Sequence, residues 1–166
     1  MPYITMLFKN CDRCPGKVAE RCVYFYTDDF EARIYYSALG AEWCRKSEHK
    51  MELYRLLNLI NARCWPYVTY GVDGEFYKLE LLFYPRFYIT EDDSYDITAT
   101  MLIPYSHYKS NQLQTEDFIT GVIPNLLDAL STPIFLLLLG EITVDEAIHV
   151  IQLDVLSNSE DNTDTN

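Results

Sequence analysis

The sequence predicts an α+β domain, a two-layer sandwich with helices packed on one face of an antiparallel sheet of about five strands. Three observations support this fold class. Short segments alternate apolar and polar residues, which is typical of half-buried strands. A stripe of leucines after Ser47 has helical spacing, and the most apolar segment, 118–140, lies near the C-terminus. Strands and helices are segregated along the chain, which favours an antiparallel sheet with one helical layer.

The length and charge of the chain bound its class. A chain of 166 residues suits one domain, which we expect over 1–156, and the polar segment 157–166 is predicted to be a disordered acidic tail. The formal net charge of -12 repels nucleic-acid phosphates and anionic membrane surfaces. The composition therefore favours a basic protein partner, or simply an acidic solvated surface, over nucleic acid or membrane.

No secretory signal is expected at the N-terminus, because the first ten residues lack a charged segment followed by an apolar core. The longest unbroken apolar run near the C-terminus, 134–139, is too short for a membrane span, which needs about 20 apolar residues. We therefore predict a cytoplasmic protein whose five cysteines are mostly free thiols.

The N-terminal third of the chain carries the first strands. Residues 3–8 are a candidate short strand, and a strand is predicted from Cys22 through a run of aromatic and β-branched residues. Apolar and polar residues alternate over 30–36, the period of a half-buried strand. We expect 39–44 to extend the sheet after a bend at Gly40.

A helix is predicted from a cap at Ser47 to about Arg63, ended by Pro66. Within it, Asn58 and Asn61 are neighbours on the helix surface because they lie three residues apart. Asn is a poor residue for a helix interior. We expect this pair to hydrogen-bond to an adjacent strand or loop and fix the helix against it; ligand binding is the alternative.

A three-strand meander is predicted next. Its first strand, 67–72, is followed by Asp73-Gly74, the strongest hairpin signal in the chain. The return strand is long, 77–89, with Pro85 at a bulge or an edge. The third strand, 95–105, keeps strict alternation.

The C-terminal part is predicted to be helical. A polar loop over 109–114 leads into a long helix that ends at Gly140. Pro124 and Pro133 are expected to kink or split that helix, since each lacks a backbone N–H. Thr143 is predicted to cap a last helix over 144–153.

The segment Leu56-Leu57-Asn58-Leu59-Ile60-Asn61, followed by strands and a closing amphipathic helix, resembles the bacterial YbjN-like (sensory transduction regulator) family. That family shares the fold of type III secretion chaperones. The resemblance implies a two-layer sandwich, often dimeric, that binds other proteins and has no active site. The sequence itself offers no nucleophile–base pair, so we expect no enzymatic activity and no cofactor.

The most suggestive chemical motif is Cys11-x-x-Cys14, a spacing found in zinc sites and redox pairs. A structural zinc site needs four ligands, and only one such pair is present. Cys22, Cys44 and His49 are candidates to complete it. Because Pro15-Gly16 follows directly, a redox helix start is disfavoured. Free thiols are the favoured state, and a zinc- or thiol-dependent protein is the alternative function.

Tyrosines are abundant, 14 in all, and several have the parity opposite the predicted core. Tyrosine is frequent at interfaces because it combines a large contact area with a polar tip. We predict a partner or dimer surface at Tyr35, Tyr84, Arg86 and Tyr88; the alternative is that tyrosine only tolerates a half-wet sheet. Base stacking is disfavoured, since the chain has just 13 basic residues. The predicted function is a non-enzymatic protein-binding module, chaperone-like or regulatory.

Overall fold

The structure is a computed structural model that describes residues 2–9, 11–62, 67–72, 75–80 and 83–153, with the backbone alone described for 67–72 and 75–80. The predicted tail 157–166, the hairpin turn Asp73-Gly74 and Cys64 lie outside the described residues. The helices and strands, in chain order, are β1 Tyr3–Phe8, β2 Ala19–Phe25, β3 Asp29–Tyr36, α1 Ala38–Lys46, α2 Lys50–Ala62, β4 Tyr67–Val72, β5 Glu75–Glu80, β6 Arg86–Ile89, β7 Ile97–Pro104, α3 Tyr105–Ser110, α4 Gln112–Asp117, α5 Ile123–Leu138 and α6 Val144–Ile151.

The predicted fold class is confirmed. Five antiparallel strands form one sheet in the order β1-β2-β3-β7-β6. The prediction of a three-strand meander is wrong in one respect, because β4 and β5 form a separate two-stranded sheet. The long return strand is also divided: β5 ends at Glu80 and β6 begins after Pro85. Proline has no N–H to donate to a ladder, which places it in the connection and not in a paired strand.

The central strand β3 shows the predicted alternation. Phe30, Ala32, Ile34 and Tyr36 are buried, and the residues between them are half-buried. In the register with β7, Ile34 lies opposite Ala99 and Ala32 opposite Met101, so the inner face of these two strands is continuously apolar. This inner face packs against the helices. The buried stripe of α2 is the predicted one, namely Leu53, Leu56, Leu57 and Ile60.

Segment 39–44 is helical, which corrects its prediction as a strand. It belongs to α1, which begins after Ser37. Gly40 explains why this short helix sits against the sheet: an ideal Cβ at this position would lie 2.8 Å from the Cβ of Tyr36 and 3.1 Å from the Cζ of Phe135. The missing side chain permits close packing that local propensity does not reveal.

Ser47 joins two helices instead of capping α2, which begins at Lys50. Its backbone N–H donates to the carbonyls of Trp43 and Cys44 and closes α1. Its hydroxyl donates to the carbonyl of Leu138 at 2.6 Å and accepts from the N–H of His49 at 3.0 Å. The residue is buried, and each of its polar groups is satisfied.

Residues 109–114 are mainly helical, in α3 and α4, and not a loop as predicted. The rings of Tyr105 and Tyr108 pack on Phe30 at centroid distances of 5.8 and 5.5 Å. Tertiary packing of these two rings stabilises a short helix whose sequence is otherwise polar. Local propensity is too weak a signal to predict such a segment.

The long C-terminal helix runs through a π-helical segment, Phe118–Val122, directly into α5. Pro124 follows that segment and Pro133 lies inside α5, so the helix continues through both prolines. The predicted split does not occur. Gly140 ends it with a φ of 73°, as expected. The N–H of Gly140 bonds to Leu137 and the N–H of Glu141 to Leu136, a Schellman motif. The predicted cap at Thr143 forms a capping box with Glu146.

Among the described residues, the helical stretch Gln112–Leu138 is long and apolar enough to span a membrane by length and composition. Its most apolar 18-residue window is 67% buried inside the fold. The apolar side chains that lipid would contact therefore mostly contact the rest of this chain.

Gly40→Ala tests the close approach of α1 to the sheet. We expect a loss of about 1–3 kcal/mol in the free energy of unfolding, because the new methyl group overlaps Tyr36. Gly121→Ala is the matched control, because no atom of the described residues lies within 4 Å of a Cβ there. That variant should gain up to about 1 kcal/mol from helix propensity. Urea unfolding measures both, and equal stability of the two variants would contradict the packing argument.

Candidate functional site

The outer face of the five-stranded sheet, opposite the helices, carries polar and aromatic side chains. Register places Glu31, Arg33 and Tyr35 of β3 on this face, opposite Leu102, Thr100 and Thr98 of β7. Thr98 and Thr100 are buried here by their longer neighbours. The outer face comprises Tyr3, Thr5, Leu7, Glu20, Cys22, Tyr24, Glu31, Arg33, Tyr35, Arg86, Tyr88, Thr98, Thr100 and Leu102.

Glu31 is the centre of a hydrogen-bond network on the outer face. Its carboxylate accepts from Arg33 at 2.9 Å, from the hydroxyl of Thr100 at 2.6 Å and from Tyr26 at 3.0 Å. Burial acts to raise the pKa of Glu31, but these hydrogen bonds outweigh it and hold the pKa below its usual range. The guanidinium of Arg33 also lies 4.5 Å from the centre of the Tyr24 ring, a cation–π contact.

Three of the four residues predicted for a partner surface lie on the outer face. Tyr35 and Tyr88 flank Thr98 on neighbouring strands, and Arg86 lies opposite Thr100. Tyr84 precedes β6 in the connection, where its ring is exposed. Burial, followed by the nearby carboxylate of Glu20, raises the pKa of Tyr35 to about 12. At neutral pH the phenol is therefore a neutral donor and acceptor.

Strand β1 is exposed on both faces. Its side chains retain large exposed fractions: 63% for Tyr3, 53% for Ile4, 44% for Met6 and 58% for Leu7. In the part of the chain that the structure describes, β2 is its only strand partner. An apolar edge strand without a covering element is uncommon, because it invites pairing with another chain. The sequence signal is the absence of charge and of polar alternation in Tyr3–Phe8.

The backbone groups of β1 alternate between β2 and solvent. The N–H of Phe25 donates to the carbonyl of Pro2, which sets the register of hydrogen-bonded pairs. By the alternation of an antiparallel ladder, Ile4 and Met6 bond to β2, and the N–H and C=O groups of Tyr3, Thr5 and Leu7 point to the free edge.

A cleft of about 470 Å³ lies between the inner face of β2 and the helices. Val23, Phe25 and Phe30 form its sheet side. The side chains of Ile4 and Met6 stand beside this wall, since they pair with Val23 and Arg21. The helix side and the polar parts of the lining are contributed by Tyr105, Tyr108, Glu116, Asp117, Ile119, Thr120 and Arg21.

Edge strand β6, at the other end of the sheet, is protected by α2. The side-chain amide of Asn61 donates to the carbonyl of Phe87 at 2.8 Å and accepts from its N–H at 2.8 Å. This pair of bonds satisfies an edge residue of β6 and attaches the helix to the sheet. Asn58 is exposed beside the same strand, where it lines a shallow pocket, and has no hydrogen bond among the described residues.

The connection between β1 and β2 holds Cys11 and Cys14, both buried. Their sulfur atoms and a carboxylate oxygen of Asp128, on α5, all lie within 4.8 Å of one another. The hydrogen bond from the Cys14 thiol lowers the pKa of Cys11, and the same bond together with burial raises the pKa of Cys14. Asp128 was not a predicted partner, because it is separated by 114 residues from Cys14 and no local pattern links them.

The other predicted ligands lie outside this cluster. Cys22 lies on the outer face and Cys44 is buried in the core, in α1. His49 packs over Gly140 and pairs with Glu52 at 3.6 Å. In the described part of the chain, none of these three candidate ligands groups with Cys11 and Cys14.

Comparisons of the chain with protein-family models, with curated proteins and with solved structures found no match. Three features remain as candidates for function: the edge of β1 with its cleft, the outer face, and the thiol cluster.

Asn61→Ala tests the attachment of α2 to β6. We expect it to lower the free energy of unfolding by about 1–3 kcal/mol, because a backbone N–H and C=O of the strand lose their partner. Asn58→Ala, three residues away, removes no hydrogen bond to a described residue and should change the free energy of unfolding by less than about 1 kcal/mol. Chemical denaturation compares the two, and similar values for both would contradict the role of Asn61.

Glu31→Gln tests the network on the outer face. The pKa of Glu31 is lowered in the folded state from an unfolded value of about 4.3. Its carboxylate therefore stabilises the fold above that pH, and the stabilisation is lost as pH falls through the folded pKa. We expect the variant to be about 1–3 kcal/mol less stable at pH 7.

The difference in the free energy of unfolding between wild type and Glu31→Gln should become smaller below about pH 4. Glu20→Gln is the control, since Glu20 lies on the same face without such hydrogen bonds among the described residues. Unfolding curves recorded from pH 3 to 7 measure the effect. A difference that does not depend on pH would contradict it.

Proposed function

We propose that this chain is a non-enzymatic protein-binding module that pairs β1 with an extended segment of a partner protein. The observation that carries the proposal is the exposure of β1, which is an uncharged and largely apolar edge strand. A segment added beside it would become the sixth strand of the sheet. Main-chain hydrogen bonds then provide affinity, and alternate side chains provide specificity.

The geometry of the edge supports this mode of binding. The N–H and C=O groups of Tyr3, Thr5 and Leu7, which have no strand partner among the described residues, are the donors and acceptors that a paired strand requires. Side chains of an added strand alternate between the two faces of the sheet. Those on the inner face would lie beside Ile4 and Met6, next to the cleft, and those on the outer face beside Tyr3 and Leu7.

Charge indicates the chemistry of the partner. The chain carries a net charge of -12, and Glu116 and Asp117 line the cleft beside β1. β1 itself contributes no charge. An extended segment with an apolar core and basic flanks therefore complements this region, and a second copy of the chain would meet long-range repulsion.

The outer face extends the proposed interface. The rings of Tyr3 and Tyr24 are 6.1 Å apart, and Arg33 lies over Tyr24. Aromatic and arginine side chains therefore continue from the free edge toward Tyr35 and Tyr88. Tyrosine and arginine are enriched at interfaces. We propose that a folded part of the partner contacts Tyr35, Arg86 and Tyr88, with Tyr84 at the end of this surface.

The resemblance to the YbjN-like family and to type III secretion chaperones agrees with this proposal, because it implies protein binding without catalysis. A chaperone-like or regulatory role in the cytoplasm of a bacterium is the biological setting that we propose. Dimerisation through β1 is the competing use of the same edge.

A pair of synthetic peptides tests the proposal. Both contain the same alternating valine core, and one has lysine flanks whereas the other has glutamate flanks. We expect the lysine-flanked peptide to bind about tenfold or more tightly than the other, a difference of about 1.4 kcal/mol or more. Fluorescence anisotropy at two salt concentrations measures this, and added salt should narrow the difference.

Two variants locate the binding at β1. Thr5→Pro removes an N–H at the free edge without removing a bond to β2, and Leu7→Lys adds a positive charge. Both variants should bind the lysine-flanked peptide about tenfold or more weakly than wild type does. Met51→Lys, at a residue of α2 that is 74% exposed, is the control and should bind as wild type does.

Equal binding by all three variants would place the peptide elsewhere and overturn the proposal. Light scattering provides a second measurement. If the wild type is a dimer and Thr5→Pro is a monomer, a second copy of the chain occupies the edge. That result would overturn the proposal of a basic partner.

A further inference from the structure

The cluster of Cys11, Cys14 and Asp128 has the composition and spacing of a metal site. Its three donor atoms lie within 4.8 Å of one another, with both cysteines buried and the aspartate half-buried. In a tetrahedral zinc site the metal–sulfur distance is about 2.3 Å and the metal–oxygen distance about 2.0–2.2 Å. Donor atoms this close need only a small contraction to share one ion.

The loop that carries the two cysteines is held in place by helix α5. Oδ1 of Asp128 accepts from the backbone N–H groups of Arg13 at 2.8 Å and Cys14 at 3.2 Å. One turn later, the hydroxyl of Ser131 donates to the carbonyl of Arg13 at 2.7 Å. The N–H of Cys14 also lies 3.2 Å from the carbonyl of Cys11, which closes a turn.

These bonds resemble the support that surrounds metal ligands in proteins. A ligating carboxylate is itself usually hydrogen-bonded, which fixes its orientation. Here Oδ1 of Asp128 is fixed by two backbone donors, so that its second oxygen can serve as the ligand.

A cavity of about 460 Å³ adjoins the cluster, with Cys11 in its wall. Lys9, Thr120 and Asn125 also line it. Three protein ligands beside an open cavity leave room for water, or for a small ligand, in a fourth position. Zinc sites with three protein ligands commonly keep such an open position, whereas purely structural sites have four.

We propose that Cys11, Cys14 and Asp128 bind one zinc ion, with the fourth position open to the cavity. Two thiolates and a carboxylate favour zinc over the hard cations magnesium and calcium. Binding releases the thiol protons to solvent and ties the β1–β2 connection to α5. The proposal is independent of peptide binding at β1.

Cobalt(II) is the probe, because it occupies zinc sites and its bond to a thiolate gives a charge-transfer band. Reduced, metal-free full-length protein is titrated with Co²⁺, and zinc is then added in competition with a chromophoric chelator. We expect one Co²⁺ per chain, a thiolate-to-cobalt band and complete displacement by Zn²⁺. The absence of that band in reduced wild type would overturn the proposal.

Variants assign the ligands. Cys11→Ser and Cys14→Ser should each lose about half of the charge-transfer intensity, because one thiolate remains. Asp128→Asn keeps the acceptor for the N–H groups of Arg13 and Cys14 but removes the negative charge. It should lower the zinc affinity at least about tenfold. Unchanged zinc affinity in Asp128→Asn would overturn the role of the carboxylate.

Cys22→Ser is the matched control, since Cys22 is a buried cysteine on the outer face, outside the cluster. It should bind cobalt as wild type does, and an equal loss in this variant would place the metal elsewhere. Circular dichroism establishes that each variant is folded. If Cys14→Ser does not fold, Cys11→Ser and Asp128→Asn still decide the assignment.

Discussion

Tyr36 joins the central strand of the sheet to the long helix that covers it. Its hydroxyl donates to the carbonyl of Leu127 at 2.6 Å, and its ring packs edge-to-face on Phe135 at 4.9 Å. Because leaving a buried hydroxyl unpaired would cost about 1–3 kcal/mol, the tyrosine fixes the position of β3 along α5. Gly40 lies against the Cβ of Tyr36 and the ring of Phe135, and it allows α1 to pack beside them.

The position of α5 determines what the rest of the molecule presents. With the helices on the inner face, the tyrosines and arginines of the outer face stay accessible to a partner, and they cover the buried Thr98 and Thr100. The same helix carries Asp128 and Ser131, which hold the β1–β2 connection and its two cysteines. One packing arrangement therefore places both the proposed interface and the proposed zinc ligands.

The two edges of the sheet differ in how they are protected. At β6, Asn61 occupies the N–H and C=O of Phe87, which blocks pairing at that residue. At β1, the free edge carries no charge, no proline within the strand and no covering element among the described residues. Since exposed edges are usually protected in natural proteins, the asymmetry favours a binding role for β1.

Sequence patterns determined the elements whose signals are local. Alternation predicted β3 and β7, and leucine spacing predicted the buried stripe of α2. Gly140 and Thr143 marked a helix end and a helix start. Each of these signals depends on neighbours within a few residues. Parity also placed Tyr35, Arg86 and Tyr88 on one face. Tertiary contacts decided the rest: Gly40 and Tyr108 became helical through packing with distant rings, and β4 and β5 separated from the main sheet. Asp128 met Cys14 across 114 residues, a contact that no local periodicity encodes.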